Sequence, residues 1–305
     1  MSEGIELRQV AEEDREEIAE LIYLSLNTWY QSHAMPPIFA GASSQADVFY
    51  QVYSQMEGST AVVAADHSAG RLAGICFYHT RPTHMSLGIM TVHPDYFGQG
   101  VARCLLKWIT DIADEVSQPV RLVSSALNLD SFSLYTRAGF VPRRTFQDIQ
   151  LEVPSQGLPV GRPSPAVRPA DAVDVEAMEA LESELSGISR ASDFHYFLQN
   201  AAGFWHTSVC TRPDGTLGGF LTSSGLMLGP GVAVDEATAE ALLLAELDRR
   251  RGTSVVFQIP VECGDLVQQA YGWGGRNCEL HVAQVRGDSP PMRGVTLPTF
   301  MPETG

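Results

Sequence analysis

The stretch from Met85 to Arg103 restricts the fold more than any other part of the chain. An apolar run, Met85 to Val92, stops at His93-Pro94, and the chain passes through Phe97, Gly98, Gln99 and Gly100 into Val101, Ala102 and Arg103. From there an amphipathic helical pattern runs on, so the spacing predicts a helix from Gly98 to Glu115. Proline cannot continue a ladder, and alternate glycines supply the positive φ of a tight turn. A strand, a glycine turn and a helix in that order leave successive backbone N–H groups open at the helix N-terminus, where partial positive charge favours an anion such as phosphate. Glycine spacing alone is equally compatible with a plain tight turn.

The rest of the chain places this segment in a larger pattern. Pro, Gly, Ser and Arg replace periodic apolar residues from Pro154 to Pro165 of the 305-residue chain, which predicts a linker at 155–165 between domains at 1–154 and 166–305. Before the linker, strand patterns cover Ile5–Val10, Thr60–Asp66, Leu72–His79, Met85–Val92, Val120–Ser125 and Phe140–Val153, the second and third forming an antiparallel hairpin. Helical patterns cover Glu12–Leu26, Gly98–Glu115 and Leu129–Arg137. After it, strands are expected near Val167 and at Thr207–Thr211, Leu217–Ser223, Leu226–Val234, Ser254–Ile259 and Cys278–Val285. Helices are expected at Val173–Leu185, Phe194–Ala201, Ala237–Arg250 and Gly264–Tyr271. The fold class is therefore α/β (α+β), with a second, degraded copy of the first domain. The Pro-rich tail, Ser289–Gly305, has no periodic pattern and is expected to be extended or mobile.

Composition removes several functions. A net charge of -16 with a single lysine, Lys107, lacks the basic footprint that binds nucleic acid or an anionic membrane surface. No run of apolar residues is long enough for a spanning helix, and the Glu-rich start does not resemble a signal peptide, which predicts a soluble cytoplasmic protein. Cys76, Cys104, Cys210, Cys263 and Cys278 are scattered, which argues for reduced thiols and against a structural zinc site; no metal is expected.

A second motif removes the ambiguity of the glycine turn. Asn128, Leu129, Asp130 and Ser131 lead to Leu134-Tyr135 and Gly139-Phe140, one helix and one strand after the turn. Together the two stretches resemble the paired signature of the GNAT superfamily of acyl-CoA-dependent N-acyltransferases, over residues 5 to 153. The turn resembles Arg/Gln-x-x-Gly-x-Gly/Ala, and the second stretch Asn-x-x-Ala-x-x-Leu-Tyr-x-x-x-Gly-Phe. Phe97 stands where the family has Arg or Gln, Ser131 replaces Ala, and Arg103 is a substitute phosphate partner.

The resemblance implies two GNAT-like domains, each a mixed, mostly antiparallel twisted sheet flanked by helices, with acetyl-CoA or another acyl-CoA as co-substrate. It gives cofactor-binding roles to Met90, Thr91, Val92, Phe97, Gly98, Gln99, Gly100, Val101, Ala102, Arg103, Asn128 and Ser131. The pantetheine arm would pair like an added strand in a split after Val92, and a backbone N–H near Val92 would stabilise the oxyanion. Tyr135 takes the place of the general acid that protonates the departing thiolate; packing under Gly139-Phe140 is its bland alternative. No general base is identifiable, His79, His84 and His93 being candidates by position alone.

In the family the acceptor pocket is built by the first helix pair and its loop, here Asn27–Gln45, with Trp29, Tyr30, His33, Met35 and Phe39; His79 is a further candidate, and Asp47 could pair with a cationic acceptor. The expected reaction is acyl transfer to the primary amine of a small molecule by direct attack in a ternary complex. The alternatives are a non-catalytic acyl-CoA-binding or regulatory protein and a protein acetyltransferase, and the oligomeric state is left open. The second half resembles the non-catalytic unit of tandem-GNAT proteins: Asp235 and Glu236 place carboxylates where phosphate would sit, Tyr271 is the nearest echo of the acid, and His195, Tyr196, Phe197 and Trp205 are either pocket walls or core.

Overall fold

The computed structural model describes residues 4–159, 164–225 and 227–299. Residues 160–163 of the expected linker, Leu226 at the head of one expected strand and residues 300–305 of the tail lie outside the described residues. Two compact units comprise described residues 4–120 and 121–299.

In the first unit, β1 (Ile5–Gln9), β2 (Ser59–Asp66), β3 (Arg71–Thr80) and β4 (Met85–Val92) form an antiparallel series in that order. The hairpin of β2 and β3 is as expected. On one face, α1 (Arg15–Ser32) and α2 (Asp47–Gln55) cover Ala61, Val63, Ala65, Ile75 and Phe77 with Ile18, Leu21, Ile22 and Tyr53. Elsewhere α3 (Val101–Glu115) buries Val101, Leu105, Leu106 and Ile109 and touches β2, β3 and β4. Helices that cover both faces explain why Thr60–Ala65 reads as a continuous apolar run without alternation.

The second unit contains β5 (Val120–Ser125, entering at Arg121), α4 (Leu129–Arg137), β6 (Val141–Glu152), β7 (Val167–Pro169), α5 (Val175–Ser186), α6 (Ala191–Gln199), β8 (His206–Thr211) and β9 (Leu217–Ser223). It continues with β10 (Met227–Ala233), α7 (Glu236–Arg249), β11 (Ser254–Pro260), α8 (Gly264–Gly272), β12 (Arg276–Arg286) and β13 (Val295–Leu297). Its strand order is β5-β12-β6-β11-β10-β9-β8-β7. The last long strand of the chain thus lies between β5 and β6, and β6 lies between β12 and β11. Both ladders of β6 are antiparallel, from Phe146 to Glu152 against β11 and from Val141 to Gln150 against β12. These two ladders bind β5, α4 and β6 to the C-terminal strands, so the compact units part at Val120, well before the Pro- and Gly-rich stretch.

Two expectations change. Glu12–Asp14 form a short 3-10 turn, and α1 runs on to Ser32, which places Trp29 and Tyr30 on the helix and not in a loop. Part of the tail is also ordered: β13 pairs antiparallel with Gly231–Ala233 of β10, and Arg144 donates to Gly294 O (3.2 Å) and Thr296 Oγ1 (3.1 Å). Buried Val295 and Leu297 supply the apolar anchoring that overrides the Pro-rich composition.

Each half begins with the same clamp. Arg8 grips both oxygens of Asp14 at 2.7 Å, and Ala11 N donates to Asp14 at 2.8 Å. Arg168 grips Asp174 at 2.8 and 2.7 Å, and Asp171 N donates to it at 2.9 Å. In each clamp the guanidinium hydrogen bonds hold the aspartate below the usual carboxylate range.

Candidate active site

The turn after β4 is fixed before it reaches its glycines. His93 N donates to Ala73 O (2.9 Å), and the His93 ring accepts from Asp95 N (3.2 Å). Arg71 bonds Asp95 (2.8 Å), and Tyr96 donates to Asp66 (2.8 Å). Hydrogen bonds from Ser68 and Tyr96 lower the Asp66 pKa to about 2. Burial and the Arg71 charge push the His93 ring below its ordinary value. His93 therefore serves the turn, and its position as a candidate base is corrected.

Gly98 and Gly100 then adopt φ values of 74° and 85°, and Gly100 is the N-cap of α3. No side chain caps this helix, so its first-turn N–H groups have no partner from a cap. Arg103, one turn in, folds its guanidinium back: a Cβ placed on Gly100 would lie 3.2 Å from Arg103 Nη2. The predicted helix start at Gly98 thus moves to Val101, because the left-handed glycine cannot belong to it. A Cβ on Gly74 of β3 would lie 2.9 Å from Val101 Cγ1, so that glycine lets α3 sit close against the strand. Phe97 is 48% exposed, and Gln99 donates to Asp95 O (2.8 Å), leaving main chain and Arg103 as the anion-binding groups of the turn. Met90, Thr91 and Val92 pair with Cys76, Ile75 and Gly74 of β3.

On the second unit, Asn128 Oδ1 accepts from Ser131 N at 3.0 Å and so caps α4. Tyr135, in the next turn, is 6% exposed with its ring 5.7 Å from that of Phe140, and Phe140 N donates to Tyr135 O (3.1 Å). The Gly139-Phe140 turn thus holds the tyrosine from behind.

The family model described as an acetyltransferase (GNAT) domain matches residues 57–142, a span that contains the glycine turn, Asn128 and Tyr135. The chain is a GNAT-superfamily protein. It is similar in sequence to the UPF0157 protein YqkA of Bacillus subtilis (strain 168), with 32% identity over 81 residues, 27% of this chain and 23% of that protein. In structure it is similar to a protein of Pyrococcus horikoshii (TM-score 0.76, 14% identity, 100% of this chain and 96% of that one). It is also similar to a GCN5-related N-acetyltransferase from Sphaerobacter thermophilus (TM-score 0.63, 18% identity, 96% and 98%). A tandem GNAT protein of the clavulanic acid biosynthesis pathway gives a TM-score of 0.60 at 14% identity, with 93% and 98% covered. Coverage this wide extends the fold likeness to both halves, and the GNAT fold is a scaffold for acyl transfer.

The other residues expected to matter in a GNAT acceptor site divide. Trp29 stacks on His33 at 4.2 Å and meets Tyr30 edge-on at 5.0 Å, an aromatic group at the end of α1. Asp47 is not available to a cationic acceptor, because Arg15 holds both of its oxygens at 2.7 and 2.6 Å. His79 is 1% exposed against the Tyr53 ring, and burial drives its pKa well down. His84 is buried beside Thr83 (3.0 Å) and Ser86 (3.1 Å). These are interior histidines.

The second GNAT-like half closes the equivalent positions with its own chain. Asp235 accepts from Thr238 N (2.8 Å) at the start of α7, and Glu236 accepts from Leu266 N (2.7 Å), which fills that helix end with carboxylates. β10 pairs in parallel with β11 only at Met227 and Leu228, and β13 takes β10 from Gly231 onward. Phe197 and Trp205 are core residues, whereas Tyr271 donates to Gln147 (2.5 Å).

One polar group was not visible in the sequence. Asp148 of β6 stands opposite both Gln258 of β11 and Glu279 of β12. Gln258 donates to Asp148 Oδ1 (2.9 Å), His281 Nδ1 lies 3.0 Å from the same oxygen, and Ser125 donates to Glu279. Donor atoms of Asp148, Glu279 and His281 fall within 4.8 Å of one another, a mixed N/O set able to hold a divalent cation. Its three members come from strands far apart in sequence, so no spacing rule could have joined them.

Proposed function

We propose that this GNAT protein transfers a short acyl group, acetyl foremost, from CoA to the primary amine of a small molecule by direct attack in a ternary complex. The observation that carries the reading is the turn at Gly98–Arg103: uncapped main-chain N–H groups at the start of a long helix, with a guanidinium folded over them. Such an end binds a diphosphate through main-chain donors and the helix dipole, so Phe97 in place of Arg or Gln does not remove the cradle. Met90, Thr91 and Val92 take the pantetheine arm, and Asn128 and Ser131 line the cofactor's path.

Tyr135 acts as the general acid. As the amine nitrogen bonds to the thioester carbonyl carbon, the C–S bond breaks and the Tyr135 hydroxyl protonates the thiolate. The aromatic end of α1, with Trp29, Tyr30 and His33, receives an amine with an apolar body. The second half, its helix end carboxylated and its β10 edge taken by β13, takes no cofactor.

Thiol release from acetyl-CoA is measured with a panel of primary amines for wild type and Tyr135→Phe. Amine-stimulated release that falls about 10²- to 10⁴-fold in the variant, with acetyl-CoA affinity kept, supports the reading. A second reading, an acyl-CoA-binding regulator, is favoured by the exposed phenyl ring of Phe97. It predicts tight acetyl-CoA binding without turnover on any amine.

A further inference from the structure

We infer that His281 is the general base of the acyl transfer, with Asp148 as its positioning residue and Glu279 as the carboxylate that steadies the incoming amine. The inference rests on the acyltransferase reading above. It supplies the group that β4, which carries no carboxylate, and the interior histidines His79 and His84 do not.

The geometry sets the roles. Asp148 Oδ1, 3.0 Å from His281 Nδ1, holds the imidazole in the tautomer with hydrogen on Nδ1 and leaves the lone pair on Nε2. Gln258 Nε2, 2.9 Å away, fixes the carboxylate in turn. His281 Nε2 is 4.0 Å from Glu279 Oε1, a separation that lets one nitrogen sit at about 2.8–3.0 Å from both atoms.

The pair is also fastened to the connection that carries the other functional residues. Glu279 accepts from Ser125, the last residue of β5, and Ala126 N donates to Leu280 O at 2.8 Å. From there the chain runs directly to Asn128 and, through α4, to Tyr135. The insertion of β12 beside β5 is thus the route by which the cofactor-free half contributes chemistry to the reaction.

The proton balance closes with these residues. The nitrogen loses a proton to His281 Nε2 as its bond to the carbonyl carbon forms, and the sulfur gains one from Tyr135 as the C–S bond breaks. Solvent then returns the first proton to the tyrosinate. The charged groups around the imidazole are Asp148 on β6 and Glu279 on β12, while Gln258 and Ser125 are neutral; the Cys278 thiol, pushed up to about 11 by burial and the two carboxylates, stays protonated.

The test compares wild type, His281→Gln and Asp148→Asn with acetyl-CoA and a panel of 2-phenylethylamine, tryptamine and hydroxylamine, following kcat and kcat/KM against pH. Wild-type kcat/KM should rise from acid pH to a plateau, and His281→Gln should lose that limb and about 10²-fold or more of kcat with the alkylamines. The loss should be smaller with hydroxylamine, which arrives unprotonated, and acetyl-CoA affinity should hold. If His281→Gln does not fold, Asp148→Asn carries the test, with a displaced acid limb and lowered kcat at unchanged KM for acetyl-CoA. Wild-type turnover with an unaltered pH profile in the variants would leave the acyltransferase reading standing and overturn the base; no turnover in wild type would overturn both. Activity lost to chelator and restored by Zn²⁺ would make the three side chains a metal site and likewise overturn the base.

Discussion

The guanidinium of Arg103 lies over Gly100, with Nη2 3.2 Å from the point a Cβ on the glycine would occupy. The glycine's left-handed backbone and the arginine's position are therefore parts of one device: the residue with no side chain leaves the space through which the cation reaches the helix end.

That relationship makes Gly100→Ala informative. The methyl group must displace Arg103, and φ of 85° costs an L-residue about 1–2 kcal/mol. Acetyl-CoA affinity, measured by calorimetry, should fall about tenfold or more, since 1.4 kcal/mol is a factor of ten. Unchanged affinity would place the diphosphate elsewhere.

The two arginine clamps predict an acid limit to stability. Asp14 and Asp174 are held below their ordinary carboxylate values in the folded chain, first by the guanidinium hydrogen bonds. A lowered folded pKa gives stability that is complete above the unfolded value, about 3.9, and disappears as pH falls through the folded value. Asp14→Asn or Asp174→Asn should cost about 1–3 kcal/mol at pH 7 and flatten the dependence below pH of about 4, read by urea unfolding across pH.

Arg144 ties down the C-terminal strand. It donates to Gly294 O and Thr296 Oγ1 and pairs with Glu262 at 2.8 Å. Arg144→Ala should lower stability by about 1–3 kcal/mol and raise amide exchange at Val295–Leu297 above that of β9. Equal exchange in both forms would mean that apolar burial alone holds the strand.

Trp29 separates the acceptor from the cofactor. Its stack on His33 presents an apolar face at the end of α1. Trp29→Ala should raise KM for the amine several-fold, on the order of the 1–3 kcal/mol that a few methylenes contribute in a pocket, and leave acetyl-CoA affinity alone. A change confined to acetyl-CoA would move the acceptor surface off this helix.

Much of the fold was legible because its signals are local. Met85–Val92, Val120–Ser125, Leu129–Arg137 and Leu217–Ser223 have the bounds their apolar patterns gave, and Asn128 caps its helix as its position ahead of that pattern suggests. Asp235 does the same for α7. The Arg8–Asp14 and Arg168–Asp174 clamps were also present in the letters, at equal spacing in both halves, a repeat that comparison of element order alone overlooks.

By itself the sequence determined the glycine turn, the capped tyrosine helix and the type of nearly every element, since each depends on neighbours within a few residues. Tertiary structure alone decided that β12 enters between β5 and β6, that the tail supplies β13, and that Asp148, Glu279 and His281 meet. A strand's pattern records which face is buried but not which strand lies beside it, and partners so distant are selected only when the whole chain packs.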